Sequence, residues 1–358
     1  MPTAVLHRSV GQVFMVGIPG PTLDADTRAF LDEYTPGGIV LFKRNVQSAT
    51  QVRRLVAQLH ALGAGVAPIV AIDHEGGRVD RLRLRPFTHF PPAAMVASTK
   101  SPRVVRSVAE AMGRELSAIG IDLDFAPVLD VWANPRNAVI GDRAYGTSAA
   151  QVVRMGLAAI EGLVRGGVLP CGKHFPGHGR TLGDSHKVLP RVTASRATLT
   201  KTELAPFARA IRAGIPALMS AHVVYPALDA KRPATLSPAI LTTLLRTRLK
   251  FGGVLFSDDL EMQAVAGRAA PERFAPAALA AGCDMLLVCQ SLDVARRAIG
   301  GVAEAIERGT LEPTRLVEAI GRIQVLRSKI PARAPNLRLG WPSHAHLARR
   351  IMLSAARV

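Results

Sequence analysis

The segment CGKHFPGHGRTLGDSHKVLP, residues 171–190, gathers His174, His178 and His186 with Lys173, Lys187 and Asp184 among four glycines and two prolines. Glycines permit tight backbone turns, and so many polar groups are expensive to bury unpaired, so the segment reads as a long functional loop. Two chemistries are open to it. The spacing from His174 to His178 imitates a helical metal-binding HxxxH. Phe175, Pro176 and Gly177 lie between, however, and a helix tolerates that Pro and Gly badly, so no metal is expected. The other chemistry is acid/base work by Asp184 and His186. An imidazole gives and takes a proton near neutrality, and a close carboxylate fixes its tautomer and stabilises the imidazolium. A loop-closing Asp beside an exposed His is the plainer alternative.

Three further segments carry paired charges. In GGVLFSDDLEM, residues 252–262, Asp258 and Asp259 follow an apolar run, where one can face a cleft while its neighbour turns into helix capping or loop hydrogen bonds. A carboxylate nucleophile opposite a separate proton donor is what retaining glycoside hydrolysis requires. In AIDHEGGRVDRLR, residues 71–83, Asp73 precedes a turn at Gly76 and Gly77, with Arg78 and Arg81 after it. Carboxylates and guanidinium groups form directional, charge-assisted hydrogen bonds of the kind that hold sugar hydroxyls and acidic substituents. VIGDRAYG, residues 139–146, offers Arg143, which alone would mean little.

Positioning these groups falls to eight short apolar runs: 12–17, 37–42, 68–73, 121–128, 168–174, 217–222, 252–258 and 284–290. Each is followed by a stretch with helical periodicity, the pattern of repeated βα units. The opening MPTAVLHRSVGQVFMVGIPG reads as the first strand, since it is short for a signal peptide and lacks a small-residue cleavage site. Ser48, Ser101 with Pro102, and Ser237 with Pro238 mark helix starts, and Gly120 and Gly300 mark stops. Eight parallel strands alternating with helices predict a single α/β (β/α)8 barrel of TIM type. The runs end in Asp73, Lys173, His174, His222, Asp258 and Gln290, and a closed barrel gathers strand ends into one mouth. The barrel is expected over residues 1–330. Residues 331–358, including an HAH at 344–346 assigned to the surface, read as a basic C-terminal extension, helical or partly disordered.

Composition narrows the function. The chain has 358 residues and a formal net charge of +18, yet aromatic residues make up only 4% and the arginines are dispersed. Base-stacking platforms and basic blocks are missing, so the charge reads as a solvated surface and no nucleic-acid partner is expected. No apolar segment reaches the ~20 residues that cross a bilayer, so no membrane is expected either. Cys171, Cys283 and Cys289 form an odd set in apolar contexts, which argues against a disulfide framework and for a cytoplasmic setting. Neither GxxxxGK[ST] nor GxGxxG follows a strand, so no nucleotide cofactor, and no cofactor of any kind, is expected.

The four segments together, in this order, resemble glycoside hydrolase family 3, and in particular its bacterial β-N-acetylglucosaminidases of cell-wall recycling, over roughly residues 10–330. KHFPGHG followed by DSH carries most of the likeness, with IDHEGGRVDRLR, VIGDRAYG and FSDDLEM in the expected order. The resemblance implies that Asp258 is the nucleophile and His186 the general acid/base supported by Asp184. It also implies that Asp73, Arg81, Arg143, Lys173 and His174 hold the terminal sugar. The substrate it implies is N-acetylglucosamine β-1,4-linked to 1,6-anhydro-N-acetylmuramic acid, with or without peptide, acted on by a monomer or weak oligomer. His74 stands where many relatives have Gln. Many family members add a second domain that supplies a Glu acid, for which too few residues remain here. Histidine beside an anionic nucleophile also leaves room for an anionic acceptor, so a phosphorylase using the same residues is the runner-up. A substrate-assisted route through Asp258 and Asp259 is a second rival.

Overall fold

Apolar β-branched runs buried on both faces pair in parallel only when helices cover them, and the chain satisfies that condition by closing on itself. The computed structural model describes residues 3–62, 66–182, 189–262, 270–332 and 339–355. Its strands are β1 (Phe14–Gly17), β2 (Gly38–Leu41), β3 (Ile69–Ile72), β4 (Leu123–Asp124), β5 (Leu169–Phe175), β6 (Ala217–Ser220), β7 (Val224–Tyr225), β8 (Asp229–Pro233), β9 (Val254–Asp259) and β10 (Met285–Val288). Eight of them form a closed parallel barrel in the order β1-β10-β9-β6-β5-β4-β3-β2, a TIM-type (β/α)8 fold. Closure is made by β1, which pairs Phe14 with Leu286 of β10 and Met15 with Gly38 of β2. The antiparallel pair β7–β8 lies outside the barrel, between β6 and β9 in the chain.

All eight predicted runs become barrel strands, with local differences. The run 121–128 yields only the two residues of β4, because Pro127 within it lacks a backbone donor, and a lone bridge from Val128 to Lys173 continues the pairing. The opening segment is not all strand. Thr3–Gly11 is a helix, and only Phe14–Gly17 enters the sheet. Ser48 and Ser101 cap their helices as expected, accepting from Gln51 N at 3.1 Å and Val104 N at 3.4 Å. Gly300 does not stop a helix but lies inside Leu292–Glu307. Its neighbour Gly301 explains why glycine is there, since a Cβ at that position would lie 2.2 Å from Glu272 O. Close helix packing therefore requires glycine at 301, whereas a Cβ at Gly300 would meet only open space.

The C-terminal residues Pro342–Ala355 form a helix on the helices Ala93–Ser98 and Pro102–Ala118. Ala348 and Ile351 join a buried cluster with Phe90, Val96 and Met112. His344 corrects the surface assignment of the HAH motif: it is buried, and its Nδ1 lies 2.8 Å from Glu115 Oε1, while His346 is exposed. Among the described residues no helix is long and apolar enough to cross a membrane, and all three cysteines are buried thiols.

Candidate active site

Parallel strands in a closed barrel all point their C-terminal ends to one face, and here those ends enclose a cavity of about 410 Å3. Asp73 follows β3, Lys173 and His174 lie in β5, and Asp258 lies in β9. Arg81 comes from the loop after β3 and Arg143 from the loop after β4. All six line the cavity. The other two residues singled out in the sequence, Asp184 and His186, lie outside the described residues.

A charged cluster forms one wall. Lys173 Nζ sits 2.6 Å from Asp73 Oδ1 and 2.6 Å from Glu75 Oε1. Arg143 grips the same Glu75 in a fork, Nε to Oε2 and Nη2 to Oε1, both at 2.8 Å. Burial would push the Glu75 carboxyl up, but the Arg143 and Lys173 charges outweigh it and hold it well below the usual range. Burial likewise opposes the Lys173 ammonium, and Asp73 and Glu75 more than restore it, so its pKa is raised. The turn behind Glu75 needs its glycines. Gly76 and Gly77 have φ of 83° and 57°, and a Cβ on Gly77 would lie 2.6 Å from Pro92 Cβ. Asp73 and Arg81 are less committed. Their ion pair is long at 3.6 Å, and among the described residues Arg81 Nε has no hydrogen-bond partner, so both have capacity left for a hydroxylated ligand.

A second buried carboxylate orders the histidines. Asp130 accepts from His174 Nδ1 at 2.7 Å, from His174 N at 3.2 Å and from His178 N at 2.6 Å. This bond assigns the Nδ1 hydrogen of His174 to Asp130 and leaves Nε2 for the cavity it lines. His178 is neutral, lowered to about 4 by burial and by the neighbouring His174. The two histidines therefore belong to a strand end and its loop, with rings 5.6 Å apart, rather than to a helical metal motif. Among the described residues no group of three His, Cys, Asp or Glu side chains could hold a metal ion. Asn137 ties this loop to the one carrying Arg143, donating to His178 O at 2.8 Å and to Thr181 Oγ1 at 3.1 Å.

Asp258 and Asp259 both line the cavity, so the second aspartate does not turn wholly away from it, but the two differ in their hydrogen bonds. Asp259 turns into local hydrogen bonds, accepting from Glu261 N at 3.1 Å and Cys289 N at 3.2 Å, and burial raises its carboxyl to about 7. Its own N–H reaches Asp258 Oδ1 at 2.9 Å. An acid whose folded pKa is raised lends stability below its unfolded pKa, and that stability is lost as pH rises through the folded value. Asp259→Asn keeps both acceptor contacts without the ionisation. Its melting temperature relative to the wild type is expected to climb from about pH 4 to about pH 7 and then level off. A flat difference across that range would refute the shifted carboxyl.

Some residues behave differently from the sequence reading. Arg78 does not join Asp73 but donates to the carbonyls of Ala138, Val139 and Ile140 and pairs with Asp142 at 3.1 Å. Sequence reasoning does not single out Glu75 or Asp130. The only signal for either was an acid at or just past the end of an apolar run. The buried His74, with Nδ1 3.4 Å from Asp80, stands behind the cavity wall and does not line it.

The chain matches the glycosyl hydrolase family 3 N-terminal domain over residues 5–326. It is 43% identical over 296 residues to a β-hexosaminidase of Chromobacterium violaceum, covering 81% of this chain and 82% of that one. The structure of a family 3 β-N-acetylglucosaminidase from Paenibacillus sp. str. FPU-7 superposes with a TM-score of 0.93 at 37% identity, covering 97% of this chain and 68% of that one. NagZ from Neisseria gonorrhoeae in complex with N-trifluoroacetyl-D-glucosamine superposes with a TM-score of 0.80 at 34% identity, covering 96% and 98%. The barrel, the match along nearly its whole length and these relatives agree: the chain belongs to glycoside hydrolase family 3, among its β-N-acetylhexosaminidases.

Proposed function

We propose that the protein is a retaining exo-β-N-acetylglucosaminidase that removes terminal N-acetylglucosamine from β-1,4-linked 1,6-anhydro-N-acetylmuramic acid, with or without peptide, in cytoplasmic cell-wall recycling. The observation that carries the reading is one cavity in which Asp258 shares the barrel mouth with a wall of Asp73, Arg81, Arg143, Lys173 and His174. The wall offers paired donors and acceptors to the hydroxyls of a single sugar, and Asp258 offers a carboxylate to its anomeric carbon.

Two displacements follow. Asp258 attacks C1, the C1–O bond breaks, and the leaving oxygen takes a proton from protonated His186. Neutral His186, oriented by Asp184, then takes a proton from water as the water oxygen attacks C1 and the bond to Asp258 breaks. Each step inverts, so the product retains its configuration. A histidine here avoids placing a second carboxylate beside the nucleophile, where like charges would raise one pKa.

The test is release of p-nitrophenol from its β-N-acetylglucosaminide without added metal, with and without inorganic phosphate. Free N-acetylglucosamine as the main sugar product in both arms supports hydrolysis. Abundant sugar 1-phosphate with little free sugar would replace it with the phosphorylase reading. No release in either arm would remove the substrate assignment.

A further inference from the structure

His222 ends the run that makes β6 and is fully buried, yet it does not line the cavity. Its Nε2 lies 3.0 Å from the backbone carbonyl oxygen of Asp259, and its Nδ1 lies 2.9 Å from Thr235 Oγ1. A carbonyl oxygen only accepts, so Nε2 carries the hydrogen. Nδ1 of the neutral ring then accepts, and the Thr235 hydroxyl donates to it. Thr235 in turn is within 2.9 Å of Ser220 Oγ, which supplies the next donor. Burial lowers the His222 pKa, which keeps the ring neutral and this tautomer in place. The ring also meets Phe274 edge to face, with centroids 5.8 Å apart.

Residue 259 is the anchor of residue 258. The Asp259 N–H donates to Asp258 Oδ1 at 2.9 Å, its carboxyl is held by Glu261 N and Cys289 N, and its carbonyl is held by His222. We propose that His222, set by the Thr235 and Ser220 hydroxyls, is a positioning residue that fixes the Asp259 backbone and through it the Asp258 carboxylate. The proposal rests on the reading of Asp258 as nucleophile. His222 touches no substrate. Its effect is on the aim of the carboxylate, where a misplacement of about 1 Å costs on the order of 10²-fold in rate.

The probe is 5-fluoro-β-N-acetylglucosaminyl fluoride, whose fluoride leaves with little help from an acid, so the rate of covalent labelling reports the nucleophile alone. In His222→Leu the first-order labelling constant is expected to fall about 10- to 100-fold, with half-saturation moving less than about 3-fold. His222→Gln, whose amide keeps a donor at the reach of Nε2, is expected to recover most of that loss. Thr235→Val, which fills the same space without the hydroxyl, is expected to lie between. Peptide mapping of the labelled wild type separates the two levels of the argument. A label on another residue removes the nucleophile reading and this proposal with it. A label on Asp258 with wild-type labelling by His222→Leu, with a loss confined to half-saturation, or with His222→Gln as slow as His222→Leu overturns the positioning role alone.

Discussion

Asp258→Ala is expected to lower kcat/KM for p-nitrophenyl β-N-acetylglucosaminide by about 10⁴-fold or more, the scale on which enzymes suffer when a covalent nucleophile is removed. KM is expected to change little, because the residues proposed to hold the sugar come from other strands and loops. Sodium azide is expected to restore part of the rate. The cavity left by the carboxylate admits a small anion beside C1, and attack from that side without a second displacement gives the glycosyl azide of inverted configuration. An Asp258→Ala enzyme that keeps its rate would transfer the role elsewhere, with Asp259 the nearest alternative. Asp259, however, is committed to two backbone donors, and burial raises its carboxyl to about 7, so that about half of it is protonated at pH 7. It is poorly suited to attack.

Much of this arrangement was legible in the sequence, for a physical reason. A parallel barrel buries its strands on both faces, so each reads as an apolar run, and its function collects where those runs end. Asp73, Lys173, His174 and Asp258 could therefore be picked out one segment at a time. Glu75 and Asp130 could not, because their meaning lies in partners far along the chain. Glu75 becomes informative only when Arg143 and Lys173 close on it, and Asp130 only when β5 brings His174 and His178 to its carboxylate. The same limit explains His344, whose place depends on Glu115 more than two hundred residues earlier. Gly300 misled for the opposite reason. Glycine commonly ends helices, but Gly300 lies mid-helix with open space around it, and only its neighbour Gly301 is required by close packing against Glu272, which sequence spacing does not reveal.

Lys173 is both a buried ion-pair partner and one of the residues proposed to hold the sugar, so Lys173→Met is expected to damage stability and binding alike. The ammonium is buried between Asp73 and Glu75, and removing one partner of such a buried group costs about 3–5 kcal/mol because the remaining charges lose their compensation. Urea denaturation at pH 7 is expected to show that loss. Its pH dependence follows from the two shifts. The raised Lys173 pKa means that its contribution is complete below the ordinary lysine value and fades only as pH rises through the higher folded value, so nothing changes on the ammonium side between pH 5 and 9. The lowered Glu75 pKa means that its contribution is present above the ordinary carboxylate value and fades as pH falls toward the folded one. Without Lys173 the Glu75 carboxylate takes up its proton at higher pH, which relieves the uncompensated charge. The stability gap between Lys173→Met and the wild type is therefore expected to narrow below about pH 5. Lys173→Arg is expected to rescue neither property, since a planar fork does not fit where a single ammonium meets two carboxylates. A constant gap down to pH 3, or full rescue by arginine, would show that Lys173 only fills space.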